Sequence, residues 1–167
     1  PYMGIMAARC GRGNMCRTML EIYCMAFRSR NSFTVNGDPY RNGVLRISGT
    51  NAGESSDAFT LESGFFVPTT LCEMFVHRTG ADVWMLMGIP DEWRDCSCEG
   101  LALEGGHRIS IWQKDYQVSR VTIRAACEET LALHWKGERP PRRILHNGRK
   151  YAHTGGKCAI PACRGDE

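Results

Sequence analysis

The sequence predicts an α+β domain, and three observations predict it. Within residues 106–114, Ile109 and Ile111 alternate with polar residues at a period of two, as in a half-buried strand. Farther on, Ile123, Ala126, Cys127, Thr130, Leu131 and His134 follow the i, i+3, i+4 spacing of an amphipathic helix. Around both, short apolar runs are punctuated by Gly, Pro and Asn turn signals, with no internal repeat or low-complexity tract.

Taken in order, residues 1–19 read as an irregular N-terminal segment, because Gly11, Gly13 and Asn14 interrupt it. Its Gly-Arg-Gly lacks the spacing and helix of a phosphate loop. Residues 20–167 read as one domain, opening with a strand over 20–27. Arg28 to Asn42 is loop-like, with Asn36-Gly37-Asp38-Pro39 a strong turn, and Val44–Ile47 is a short strand. The stretch Asn51 to Ser56 supplies capping residues for a short helix from Asp57 to Glu62. Residues 81–88 suit another helix, closed by Gly88. After the strand of residues 106–114 comes the helix to His134, with Ser119 as N-cap and Gly137 and Pro140-Pro141 as its stop. Ile144-Leu145-His146 is a last short strand before a basic loop.

At 167 residues the chain is long enough for one domain with a real core and too short for two comfortable ones. Its 43% hydrophobic and 23% charged residues are ordinary for a soluble globular protein, and no run of about 18 apolar residues occurs to cross a membrane. The start lacks the basic flank and apolar core of a signal peptide, and it lacks Met, so a processed product or an excerpt is expected.

Nine cysteines form no regular disulfide framework, and several, Cys24 and Cys127 among them, sit in apolar patterns, which fits a reducing compartment. Cys96-x-Cys98 and Cys158-x4-Cys163, with His153, are the set to weigh for zinc. Neither spacing is the two-residue knuckle, so no metal site is expected.

The net charge of +3 divides unevenly: residues 136–167 carry +5 and the rest −2. Arg139, Arg142, Arg143, Arg149, Lys150, Lys157 and Arg164 alternate with Gly and Pro, which makes basic loops and short strands. A basic loop beside a sheet can hold phosphates, and equally it can serve as a solubilising surface. The pI near 8.5 is too mild for general binding to duplex DNA.

Within the strand of residues 106–114, Ile109 and Ile111 share one face while Arg108, Ser110 and Trp112 share the other. A Trp on the Arg face suits a ligand with a flat base and phosphates. Its competing reading is a Trp packed over the next strand beside a solvated Arg108.

In combination these pieces resemble the translation initiation factor 4E family, the cytoplasmic mRNA cap-binding proteins. The likeness runs over residues 83–157, through Val83 to Gly88, Cys98-Glu-Gly100, Arg108 to Trp112, the helix to Leu133, Pro140-Pro141-x-x-Ile144-Leu145, and Tyr151-x-His153 ahead of Lys157. Upstream it is fainter, at Tyr23 to Phe27, Leu45 to Ser48 and Ser56 to Phe59.

The resemblance implies a curved antiparallel sheet with helices on its convex face, and a non-catalytic module acting in translation initiation. The cap-binding residues it implies are Trp112 against the methylated base, Phe33 at a stacking position, and Arg108 and Lys157 on the phosphates. The implied partners are the capped mRNA 5′ end and, through Phe59, an initiation factor 4G-like scaffold or related helical peptide. No cofactor is implied. A methylated purine is cationic, so its stacking on indole gains a cation–π component.

The chain departs from the family where a Trp-Glu pair should lie. Phe59 and Trp84 are 25 positions apart with no Trp between them, and Glu62, Glu73, Phe65, Phe66 and Phe75 do not reproduce the motif. The family's further basic residues fall here at Leu103 and Gly105. A degraded cap site, kept as a protein-interaction scaffold, is the alternative. Signatures of an enzyme are missing: there is no Gly-x-Ser-x-Gly, paired-His helix or long phosphate loop, and Asp91, Glu92 and Asp95 suit a solvated loop.

Overall fold

Gly11 divides the start of the chain into two helices, α1 (Tyr2–Arg9) and α2 (Gly13–Ala26). At φ +70° it turns the backbone where a side chain would be strained. The amides of Cys10 and Arg12 meanwhile cap α1 on Met6 O at 3.0 Å and Ala7 O at 2.8 Å. In α2 the buried residues Gly13, Cys16, Tyr23 and Ala26 recur at helical spacing. The irregular reading of residues 1–19 and the strand reading of 20–27 are both corrected here: two glycines mark the joint and first turn of a helical pair.

The computed structural model describes residues 1–28, 32, 34, 61–136, 144–146, 149–151 and 157–165. The expected turn at 36–39 and strand at 44–47, and most of the expected helix at 57–62, lie outside them. Leu61 and Glu62 open α3 (Leu61–Phe75), which packs on α1.

From α3 the chain passes directly into β1 (Val76–Thr79), which pairs antiparallel with β2 (Asp82–Met85). The helix expected over 81–88 is therefore a strand. Its run Val-Trp-Met alternates, with Val83 and Met85 buried in the core and Trp84 on the opposite face.

A three-stranded antiparallel sheet follows: β3 (Cys96–Ala102), β4 (Arg108–Lys114) and β5 (Gln117–Arg124). The chain then returns as β6 (Glu129–Trp135), parallel to β2. β7 (Ile144–His146) and β8 (Arg149–Tyr151) form a separate pair. β9 (Lys157–Ala162) closes the first sheet in the order β1-β2-β6-β9.

The fold is α+β, with a mixed sheet beside an antiparallel one. Strand β4 matches the alternation read from the sequence, and β7 matches the expected strand at 144–146. The helix expected over 119–134 is corrected to β5 and β6. Val118, Val121, Thr122 and Ile123 are β-branched and lose rotamer freedom in a helix. In β6, Leu131, Leu133 and Trp135 alternate into the core, a period of two that the i, i+3, i+4 matches obscured.

Both sheets feed one core. Val83, Met85, Leu131 and Leu133 from the mixed sheet join Ile109 and Ile111 of β4, with Ala7, Ala8 and Met74 from the helices. Each fully buried Ile, Leu or Met contributes about 1.5–3 kcal/mol of transfer free energy. This inward commitment of Ile109 and Ile111 turns Arg108, Ser110 and Trp112 outward.

Candidate functional site

The outward face of β3–β5 carries a half-buried tryptophan among arginines. Trp112 stands opposite Ser97 on β3 and Arg120 on β5, while Arg108 stands opposite Ala102 and Arg124. Since paired residues point to the same face, Arg108, Trp112, Arg120 and Arg124 share one surface. Arg108, Arg120 and Arg124 are exposed.

Two irregularities shape this surface. A bulge in β3 between Cys98 and Leu101 places Gly100 at φ +66°, and two outward side chains of β4 hold it. Gly100 N donates to Ser110 Oγ at 2.9 Å, and Arg108 Nη1 donates to Gly100 O at 3.0 Å. Arg108 is thus anchored by one nitrogen of a fork that has five donors. The second bulge lies in β5 beside Trp112, where Ser119 Oγ donates to Trp112 O at 3.0 Å.

Over the indole lies the guanidinium of Arg120, its carbon 4.9 Å from the ring centroid. A planar cation on an exposed aromatic face gains about 0.5–1 kcal/mol, little enough for a better-fitting ligand to displace. The arrangement can accept a flat ring on Trp112 and anionic oxygens on the flanking guanidinium groups.

Of the residues expected to bind, the structure brings Trp112 and Arg108 onto one face. Lys157 is the first residue of β9, on the other sheet. Phe33 and Phe59 lie outside the described residues. Sequence reading missed Arg120 and Arg124. Their signal was the i, i+2, i+4 spacing of Arg120, Thr122 and Arg124, hidden once the segment was taken for a helix.

A second cluster joins the two sheets. His107, which is fully buried, directs Nε2 to Glu129 Oε1, and Cys127 Sγ lies 3.5 Å from Nε2 and 3.6 Å from Oε1. The three donor atoms lie within 4.8 Å of one another, close enough to be weighed as a metal site. Their hydrogen bonds commit them elsewhere. Ala126 N donates to His107 Nδ1 at 3.1 Å, so Nδ1 is an acceptor and the ring proton sits on Nε2, facing Glu129. Arg78 binds both Glu129 oxygens, with Nη1 2.9 Å from Oε1. A metal on Nε2 would have to evict the proton that this tautomer requires.

The same bonds argue against a cysteine nucleophile. Burial, then the Glu129 charge, pushes the Cys127 thiol above its usual range, whereas catalysis needs a thiolate. The lone pair of Nδ1 is already occupied and Nε2 holds its proton, so His107 offers Cys127 no base. Glu129 itself is held down to about 2, chiefly by Arg78 and then by His107.

Of the cysteines weighed for zinc, Cys96 and Cys98 lie on β3 and Cys158 is buried in the core. His153 lies outside the described residues. The acidic loop behaves as expected: exposed Asp91 accepts from Asn14 Nδ2 at 2.9 Å and Lys136 Nζ at 3.3 Å, and Glu92 pairs with Arg17 at 3.0 Å. Comparison with protein-family models and with curated proteins returned no match.

Proposed function

We propose that this chain is a non-catalytic RNA-recognition module. In this reading the outer face of β3–β5 stacks a base on Trp112 and holds phosphates on Arg108 and Arg120. One observation carries it: a planar cation already rests 4.9 Å from the Trp112 centroid, on the face where a base would stack. Guanidinium groups beside such a platform suit phosphate oxygens, which they bind through paired N–H donors.

The narrower form is recognition of a 7-methylguanosine cap in translation initiation, in the cytoplasm, by an initiation factor 4E-like fold. A cationic base is the ligand best matched to a ring that already holds a cation. Supporting it are the Arg108–Trp112 strand, the strand at Ile144–His146 and the strand opened by Lys157. Weighing against it, two strands stand where the resemblance implied a helix, and β2 pairs parallel with β6.

The test is titration with 7-methyl-GTP, GTP and a short uncapped RNA, followed by tryptophan fluorescence. Quenching by all three that Trp112→Ala removes supports RNA recognition, and a preference of tenfold or more for 7-methyl-GTP supports the cap. Unchanged fluorescence with each at millimolar concentration would sink both.

A protein-interaction scaffold is the second reading, favoured by Tyr2, Met3, Met6, Phe65 and Leu71, which are exposed on α1 and α3. An initiation factor 4G-like helix is the partner this reading takes, and pull-down by a 4G-type peptide that charge substitutions at Phe65 and Leu71 abolish would support it.

A further inference from the structure

β1 is buried on both of its faces at the point where α3 runs into it. Val76 and His77 are successive residues of the strand, so they point to opposite faces, and they are 5% and 7% exposed. Val76 joins the core, which suits an aliphatic side chain. His77 is ionisable, and its buried Nδ1 has no hydrogen-bond partner among the described residues.

Backbone bonds close the junction around it. Leu86 N donates to Phe75 O at 2.6 Å and Gly88 N to Met74 O at 3.2 Å, so the chain leaving β2 is stitched to the last turn of α3. On the strand side the His77 ring lies near-parallel to Trp84, with 6.4 Å between centroids and planes 15° apart. Beyond Trp84 come His134, stacked on it, and Asp82, which accepts from His134 Nε2 at 2.6 Å. On the helix side the charges that act on His77 are Glu73 of α3 and Arg9 of α1. These two are committed to each other: Arg9 Nε and Nη2 donate to Glu73 Oε2 and Oε1 at 2.8 and 2.7 Å. With a guanidinium on both oxygens, Glu73 offers an imidazolium little compensation.

We infer that the α3–β1 junction is an acid-sensitive joint: proton uptake by His77 opens it and loosens the helices from the mixed sheet. A neutral imidazole tolerates the site, whereas an imidazolium donates from both nitrogens and carries a charge that burial strips of water. The ring therefore takes its proton when the junction admits water. Burial lowers the His77 pKa from its ordinary 6.5, with Glu73 pulling the other way and Arg9 acting with burial. The open junction thus binds the proton more readily than the closed one, and closure is fully favoured above about 6.5 and lost progressively as pH falls below it. That window lies above the range in which Glu129 titrates, so the two acid effects are separable.

The experiment is native-state amide exchange on the full chain across this window, corrected for the intrinsic rate. Leu86 and Gly88 are the reporters, because they donate the two closing bonds. Their protection is expected to fall below about pH 6.5, by up to tenfold per unit. His77→Phe, which keeps a ring against Trp84 and cannot take a proton, should abolish the decline, and His134→Gln should leave it intact. Arg9→Gln should make it shallower, because Glu73 can then pair with the imidazolium. On the native chain, the His77 ring resonances followed by NMR should titrate below the ordinary 6.5, a test that needs no variant to fold. Protection indifferent to pH, a decline that survives His77→Phe or vanishes in His134→Gln, or a His77 titration at or above its ordinary value would overturn the joint. A slope that Arg9→Gln leaves unchanged would overturn the part given to the Arg9–Glu73 pair.

Discussion

Arg78 near the end of β1 holds both carboxylate oxygens of Glu129 at the start of β6, and Glu129 in turn receives His107 from the head of β4. Three residues distant in sequence thereby tie the mixed sheet to the three-stranded one. Arg78 has a second task, donating from Nε to Gly80 O at 2.6 Å and so bracing the β1–β2 turn. Its removal would leave Glu129 charged and half-covered. Arg78→Ala is expected to destabilise the fold by about 3 kcal/mol, read as the shift in a urea midpoint.

The same carboxylate sets an acid limit. Glu129 titrates at about 2 in the folded chain and near 4.5 ordinarily, so it binds more protons when unfolded. Its stabilisation is complete above the ordinary range and is lost as pH falls from about 4.5 through 2. Thermal melts across that window should show a steep decline in the native chain and a shallower one in Glu129→Gln. Equal slopes would mean that other carboxylates govern acid unfolding.

Arg120 offers a second lever, this one on binding. If its guanidinium neutralises one phosphate, Arg120→Gln should weaken RNA binding and flatten the plot of log affinity against log salt by about 0.7. Arg108→Gln should flatten it by a similar amount and also release the Gly100 bulge. An unchanged salt slope in both variants would remove these arginines from the interface.

Gly88 marks where α1, α3 and the chain after β2 touch. A Cβ there would lie 2.7 Å from both Ala8 Cβ and the Met74 backbone. Neither neighbour is the end of a flexible side chain, so the backbone would have to move. Gly88→Ala is expected to cost about 2 kcal/mol, against a few tenths for Ala81→Gly in the exposed β1–β2 turn, measured as paired denaturation curves.

Thiol chemistry should sort by depth. Burial pushes Cys16 and Cys98 up to about 11, whereas Cys10 just past α1, Cys24 on α2 and Cys72 on α3 are exposed. At neutral pH, alkylation followed by mass spectrometry should mark Cys10, Cys24 and Cys72 first, with Cys16 and Cys98 reacting only on unfolding.

The sequence was most readable where one periodicity stood alone. Residues 108–111 alternate polar and apolar, and both the strand and its two faces follow from that alternation. Residues 119–134 satisfied helical spacing through Ile123, Cys127 and Leu131 while also forming strands, and the β-branched run Val121, Thr122 and Ile123 was the clue that should have decided it. At the N-terminus, Gly11 and Gly13 looked like interruptions because their purpose is tertiary. Gly11 turns the chain between α1 and α2, and Gly13 lets α2 approach the backbone of Ile89 and Pro90 closely, Pro90 N lying 2.8 Å from where a Cβ would be. The half of the candidate site on β4 was visible for the same reason the strand was. Arg120 and Arg124 were not, because assigning them to a face requires knowing that they belong to a strand. The His107–Glu129–Arg78 junction leaves no local pattern at all: its members are 22 and 51 positions apart.

The parallel pairing of β2 with β6 has an architectural consequence. Parallel neighbours need a crossover, and here that connection is the whole stretch from Leu86 to Glu128, with the arginine-and-tryptophan sheet folded inside it. The prospective binding surface is thus carried as cargo on a link between two core strands. Its outward residues are free to change, and with them the ligand, so long as Ile109 and Ile111 still seat in the core and His107 still meets Glu129.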